Sequence, residues 1–438
     1  MAEVRKGWST SPIGFRDARL ESSHFSAAMA LVVAGIPALL VGAELVSAGL
    51  DFAQLIIAVP LGAIIGGAII GLLGRQAAAS AAPGAFLFKA PLGSLGALLF
   101  NLARLVVTLA WAVLVLDIAS GWVDSALADF GLSAPPYLVP AVIATLAVVM
   151  FANGFAWSLD FLRRRMFLVG IGLTLIVVWR LLNRSDPVGG VPVRGGFLEA
   201  VDAVLGLAIL WSAVGADAGG HGQREDDTAS GLALGYAVAT LAFVLAGASL
   251  TRGGGLDAVT SLGGGIIGAA LLLLWVPVME VDGAGSLLAS STVSLQAIVR
   301  PLPAVVGLPL VGAATVVGAE LLSGEVVRLL INIGTLVVAP ALAVLLVDSL
   351  VIRPGGYRSD DLFRWRGDYG LVNLRAIAAW LVGIALGLWL RPDLGLLQGG
   401  LDGTPALLIG MAASAVVYWP LAALGRRRQS LVYGLRRF

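Results

Sequence analysis

The chain has 438 residues, of which 58% are hydrophobic and 13% charged, with a formal net charge of +1 and a mean hydropathy of +0.95. That balance leaves too little polar surface to cover a water-soluble domain, so the composition predicts an all-α polytopic membrane protein. With no cysteine, disulfides, thiolate metal sites and a cysteine nucleophile are excluded, and the redox compartment is not readable from thiols.

Residues 1–26 open with MAEVRKGWSTSPIGFRDARLESSHF, which is polar and lacks the order of a cleavable signal, and are expected to form a cytoplasmic tail. Twelve apolar segments follow, each about the 20 residues that cross a bilayer core of roughly 30 Å. They are 27–50, 54–74, 92–116, 136–157, 166–182, 197–216, 229–250, 262–282, 303–321, 326–352, 371–390 and 404–424. In the eighth the apolar run from Ile266 to Met279 is short, and the helical pattern continues through Glu280 toward Gln296. The connections 221–227 (HGQREDD) and 353–370, the latter opening on Pro-Gly-Gly, read as solvated surface loops. Residues 425–438 form a basic tail.

With the N-terminus inside, 21 Lys and Arg residues fall on the inner side and six on the outer, with Arg104 inside the third span. By the positive-inside bias both termini are expected in the cytoplasm, as an even number of spans requires. Only Lys6 and Lys89 stand against 26 arginines, and Ala and Gly are abundant, a usage that suggests a GC-rich bacterial genome and hence a bacterial cytoplasmic (inner) membrane.

Two spans carry helix breakers in mid-membrane. The first reads VAGIPALLVGAEL with Gly35, Pro37 and Gly42, and the sixth reads GLAILWSAVGADAGG with Gly206, Trp211, Gly215 and Asp217. Interruptions five spans apart are the mark of inverted-repeat transporters, which bind their cargo at broken helices near the midplane. They suggest two repeats, 27–182 and 197–352, followed by two further helices within 371–424.

Several runs then carry a family resemblance. NLARLVVTLAW in the third span, with Arg104, Thr108 and Trp111, is similar to an Asn-x-x-Gln-x-x-Gly-Trp pattern. In the sixth, Gly195, Gly196, Asp202, Trp211 and Asp217 match a Gly-Gly, Val-Asp, Ser-Trp and Ala-Asp-Tyr-x-Arg run, although the Tyr and Arg are missing. GLALGYAVA (231–239) resembles the next helix start. DGAGSLLASSTVSLQ keeps Asp282, Ala284, Ser290, Val293, Ser294 and Gln296 of an Asp-Asn-Ala-Phe-Ala-Asn-x-Tyr-Ser-x-x-Val-Ser-x-Gln pattern, and YGLVNLRAIAAWLVGIALG (369–387) resembles the signature of the eleventh span. Together these resemble the nucleobase cation symporter family of purine, cytosine, allantoin and hydantoin permeases, most closely its bacterial cytosine or hydroxymethylpyrimidine branch.

The resemblance implies a LeuT-type fold with a 5+5 inverted repeat plus two C-terminal helices, and a small planar heterocycle held between Trp111 and Trp211. It also implies a cation between spans 1 and 8. An aromatic face stacks on a flat base for about 1–3 kcal/mol, while packing remains the alternative role for an intramembrane Trp. Ala38, Val115 and Leu287 align with polar substrate-reading positions and Gly283 with an amide, so a nucleobase would lose hydrogen-bond partners there. Asp282 falls at the cation position. It would ligate Na⁺ with backbone carbonyls near Ala34 and Pro37, or carry H⁺; Glu280, about 200° away around the helix, faces elsewhere. An intramembrane acid is functional by default, with a structural cap as the other reading. Asp160, Asp202, Asp217 and Asp348 read as headgroup-level acids at span ends, and Arg104 as a residue that snorkels or pairs with an acid.

The expectation is a cation- or proton-coupled importer with a small-molecule substrate and the lipid bilayer as partners, and no nucleic acid, metal site or resident cofactor beyond a coupling Na⁺ or H⁺. The alternative is a transporter-fold membrane protein with a more apolar site, carrying a non-nucleobase ligand or acting as a binding or regulatory component. With only His24 and His221 present, no metal-ligand cluster is visible in the sequence and an enzyme is not expected.

Overall fold

The computed structural model describes residues 20–170, 172, 196–251, 266–354, 356–391 and 404–435. Among them the chain is helical apart from turns, connections and one isolated bridge pairing Leu20 with Gly222. In lipid a spanning segment must satisfy its own backbone, which a helix does. Among the described residues, eight helices are long and apolar enough to cross a membrane, and two further pairs meet that test as bent units.

The first pair is α1 (Ser22–Val33) and α2 (Ile36–Ser47), joined at a 54° bend. Gly35 is extended at the break (φ −145°, ψ −165°), and Pro37 lies in the first turn of α2, where its missing N–H is harmless. α3 (Phe52–Ser80) starts at a capping box in which Asp51 accepts from the Gln54 amide. After the single turn α4 (Gly84–Leu87) comes α5 (Lys89–Asp129), kinked at Gly93, whose φ of 76° disfavours any side chain.

Three expected segments are redrawn. The span expected at 136–157 ends at Phe151 as α6 (Leu138–Phe151), and a new helix, α7 (Phe155–Gly170), leaves at 106° where Gly154 takes a φ of 93°. The span expected at 166–182 therefore begins eleven residues early, at Phe155, and most of its remainder lies outside the described residues. The sixth span, α8 (Phe197–Gly219), is one unbroken helix. Its Gly215 admits Ile70 of α3 instead of interrupting the backbone, a use of glycine for close packing.

α9 (Glu225–Thr251) follows, then α10 (Ile266–Ile298), which confirms the helical continuation past Glu280, and α11 (Ala304–Leu321). α12 (Gly324–Ile352), the short α13 (Ser359–Phe363), α14 (Leu374–Trp389) and α15 (Ala406–Leu435) complete the order.

α3 packs along α8 and α9, while α5 packs along α10 and α12. Between α2 and α9 the contact is backbone against backbone, since Gly42 lies on the Val244 carbonyl and Gly247 on the Leu39 carbonyl. Without a hydrophobic driving force in lipid, such close approach supplies the dispersion that holds helices together. The broken α1–α2 unit is thereby fixed beside the middle of α10.

Candidate functional site

The bend in the first span leaves the N-terminus of α2 in the interior, where its orphan N–H groups need acceptors. Glu280 of α10 supplies one: Ile36 N donates to its Oε1 at 2.9 Å. A side chain at position 35 would meet that carboxylate at 3.0 Å, so Gly35 is what lets it approach. Glu280 is 1% exposed and has no ion-pair partner among the described residues.

Asp282, 2% exposed, turns one oxygen back onto the Gly283 N–H of its own helix at 2.7 Å, and its Oδ2 has no partner. A Cβ at Gly283 would lie 3.5 Å from the Val32 carbonyl, 3.9 Å from Glu280 Oε2 and 3.9 Å from Trp211 Cη2. Residues from four helices therefore converge: Val32 on α1 and Ile36 on α2 with Gly35 at the break between them, Glu280 and Gly283 on α10, and Trp211 on α8. The Val32 carbonyl and the Glu280 carboxylate contribute oxygens there, the ligand type of a hard cation. It is Glu280, and not Asp282, whose carboxylate reaches the break; Ala34 and Pro37 flank it. A 244-residue separation hides that contact from sequence reasoning.

Trp111 lines a cavity of about 600 Å³, together with Leu40, Glu44, Asp202, Gly206 and Arg328. Trp211 does not line it and is fully buried. Neither indole N–H has an acceptor, so two buried donors stand unused. Ala38, Val115 and Leu287 are buried and lie outside the cavity lining. Glu44 and Arg328 form an ion pair at 3.0 Å between α2 and α12 within the cavity wall.

Below Trp111, Arg104 pairs with Asp217 across α5 and α8. Arg104 also donates to the Ala213 carbonyl at 3.1 Å, and Asp217 accepts from Ala85 N at 3.2 Å. Thr108 and Ser291 share a hydrogen bond at 2.7 Å, tying the same stretch of α5 to α10. Three of the four acids read as headgroup-level are buried against protein partners rather than solvated. Asp217 is buried in this pair. Asp202 accepts from the amides of Leu407 and Leu408 at the start of α15, and Asp348 accepts from the hydroxyls of Tyr357 and Tyr418. Short polar caps and pairs satisfy these carboxylates inside the bundle. Asp160 alone stays half-exposed, against Arg163, Arg164 and His24.

A broken first span that receives a carboxylate from a long helix, with a separate cavity lined by Trp111, is an arrangement that comparison with known proteins places in a secondary transporter. The family of permeases for cytosine/purines, uracil, thiamine and allantoin matches residues 24–403, and the chain belongs to that family. Among solved structures, the chain resembles Mhp1, a nucleobase-cation-symport-1 transporter, in a closed conformation with bromovinylhydantoin bound. The TM-score is 0.77 at 17% identity, over 96% of each chain. The inward-facing conformation of Mhp1 matches with a TM-score of 0.71 and 19% identity, over 95% of this chain and 93% of that one. A Na⁺-coupled sialic acid symporter in an outward-open state matches with a TM-score of 0.64 and 12% identity, over 93% and 90%. A search of curated sequences gives no match. Family and structural neighbours are transporters, not enzymes.

Proposed function

We propose that the chain imports a small planar heterocycle of the nucleobase, hydroxymethylpyrimidine or hydantoin kind across the bacterial cytoplasmic membrane, driven by Na⁺ or H⁺. Twelve spans, with 1–5 and 6–10 as inverted repeats and both termini in the cytoplasm, are the architecture in which alternating access operates. The observation that carries this reading is Glu280 at the break of the first span. A broken helix leaves a positive N-terminal end in the membrane that elsewhere receives an anionic substrate group. Here a carboxylate of the chain already occupies it, which favours a neutral substrate. With Asp282 nearby and no arginine or lysine paired to either acid among the described residues, a coupling cation or proton would supply the missing positive charge.

Trp111 and Trp211 offer ring faces and two free N–H donors, which suit the carbonyl oxygens of a flat heterocycle. The family membership and the hydantoin bound to Mhp1 support the same substrate class. The sodium named for the sialic acid symporter supports cation coupling.

The apolar residues Ala38, Val115 and Leu287 and the bare Gly283 favour a second reading. In it the chain carries a non-nucleobase ligand or acts as a binding or regulatory component.

Uptake of labelled cytosine, hydroxymethylpyrimidine and hydantoins into proteoliposomes, under imposed Na⁺ or pH gradients, separates the two. Gradient-driven uptake that Glu280→Gln uncouples supports import, since the amide still accepts from Ile36 while the charge is gone. Absence of both uptake and any ligand-induced thermal shift sinks it.

A further inference from the structure

Outside the transport site, the buried Lys89 has no hydrogen-bond or ion-pair partner among the described residues, the nearby Asp361 acting on it only at a distance. Lys89 begins α5 directly after α4, is 4% exposed, and its Nζ has no hydrogen-bond partner. No carboxylate lies within ion-pairing distance of it among the described residues. The side chain lines a cavity of about 20 Å³ together with Ser94, Asn101, Arg300, Leu362 and Trp365.

Arg300 brings a second positive charge to this cavity. Its guanidinium lies over the Phe86 ring, 5.0 Å from the centroid, and Nη1 donates to the Phe363 carbonyl. The acid in this region, Asp361, faces Arg358 at 3.6 Å and Arg364 at 4.0 Å and does not line the cavity. Asn101 donates both N–H groups to the carbonyls of Ala85 and Ala97, which leaves Oδ1 as an acceptor without a partner.

An ammonium removed from water without a counter-charge is costly, and a second cation beside it raises that cost. We propose that the cavity holds one monatomic anion, chloride, between Lys89 Nζ and the Arg300 guanidinium. Size favours the ligand: the cavity, about 20 Å³, suits a single small group near the size of a water molecule, which favours a halide over phosphate, sulfate or a lipid phosphodiester. The site joins three parts of the chain: the start of α5, the residues after α10, and the 353–370 connection carrying Leu362 and Trp365. Chloride there acts as a fastener of the fold and is independent of the transport reading above.

The test uses the full-length protein purified in detergent. Thermal unfolding is followed in sodium chloride, sodium bromide and sodium gluconate at equal ionic strength, and crystals are soaked in bromide for anomalous diffraction. A halide at about ten times its Kd is expected to raise the midpoint by roughly 1–2 °C over gluconate in a chain of this size. Lys89→Met should abolish that difference while being at least as stable as the unmodified protein in gluconate, because the uncompensated charge is gone. An anomalous peak between Lys89 and Arg300 would agree. Equal midpoints in the three salts, or density for water alone bridging Lys89 to Asn101 Oδ1 after the bromide soak, would overturn the proposal. The soak needs no variant, so a misfolded Lys89→Met leaves it decisive.

Discussion

Arg104 and Asp217 illustrate what a pair of residues can and cannot do inside a membrane bundle. Both are buried, and each ion alone would carry a desolvation cost of several kcal/mol that only the partner offsets. Arg104→Met strands the Asp217 charge, and a loss of about 3–5 kcal/mol is expected, measured by chemical unfolding in detergent. The double variant with Asp217→Asn should recover most of that loss; if it is as unstable as the single variant, the pair is not what holds α5 to α8. Trp111 is the other residue-scale case. If it stacks on a substrate, Trp111→Ala removes about 1–3 kcal/mol of binding, roughly ten- to a hundredfold in affinity, beyond the loss of stability expected from truncating a buried Trp. An unchanged affinity would return Trp111 to a packing role.

At the scale of elements, hydropathy places most spans correctly because a lipid-facing helix has no alternative way to satisfy its backbone. The break at Gly35 was legible for the same local reason, glycine and proline two residues apart in an apolar run. The continuity of α8 was not legible, because Gly206 and Gly215 look the same in sequence whether they unwind a helix or admit Ile70. Nor was the site's main contact, Glu280 with Ile36, which depends on how α10 lies against the first span. Arg104 was visible as an anomaly, but its partner was visible only as an acid near a helix end. Gly93 makes the testable point at this scale. Its left-handed backbone lets α5 turn onto the chain entering α14, and a Cβ there would lie 2.7 Å from the Leu371 carbonyl. Gly93→Ala should therefore destabilise by more than the roughly 1 kcal/mol that glycine-to-alanine changes gain at compatible sites, read as a lowered thermal midpoint.

For the whole molecule, orientation decides what the cavity is. If both termini are cytoplasmic, the connection after α5 and the wall bearing Glu44 and Arg328 lie outside, and the 600 Å³ cavity opens outward onto Trp111. The structure would then stand on the outward-facing side of the transport cycle. The chain has no native cysteine, so single cysteines can be introduced without background. Ser133→Cys, exposed after α5, should react with a membrane-impermeant maleimide in intact cells, and Asp368→Cys, exposed in the 353–370 connection, only after permeabilisation. The opposite pattern would invert the bundle and turn the cavity toward the cytoplasm. Glu44 and Arg328 extend the argument to the cycle itself. An exposed pair such as this contributes only about 0–1 kcal/mol to stability, yet it links the broken first span to α12. Glu44→Gln should then leave the unfolding midpoint nearly unchanged while altering the rate at which a cysteine lining the cavity becomes accessible from outside. An effect on stability with none on accessibility would make the pair a simple brace.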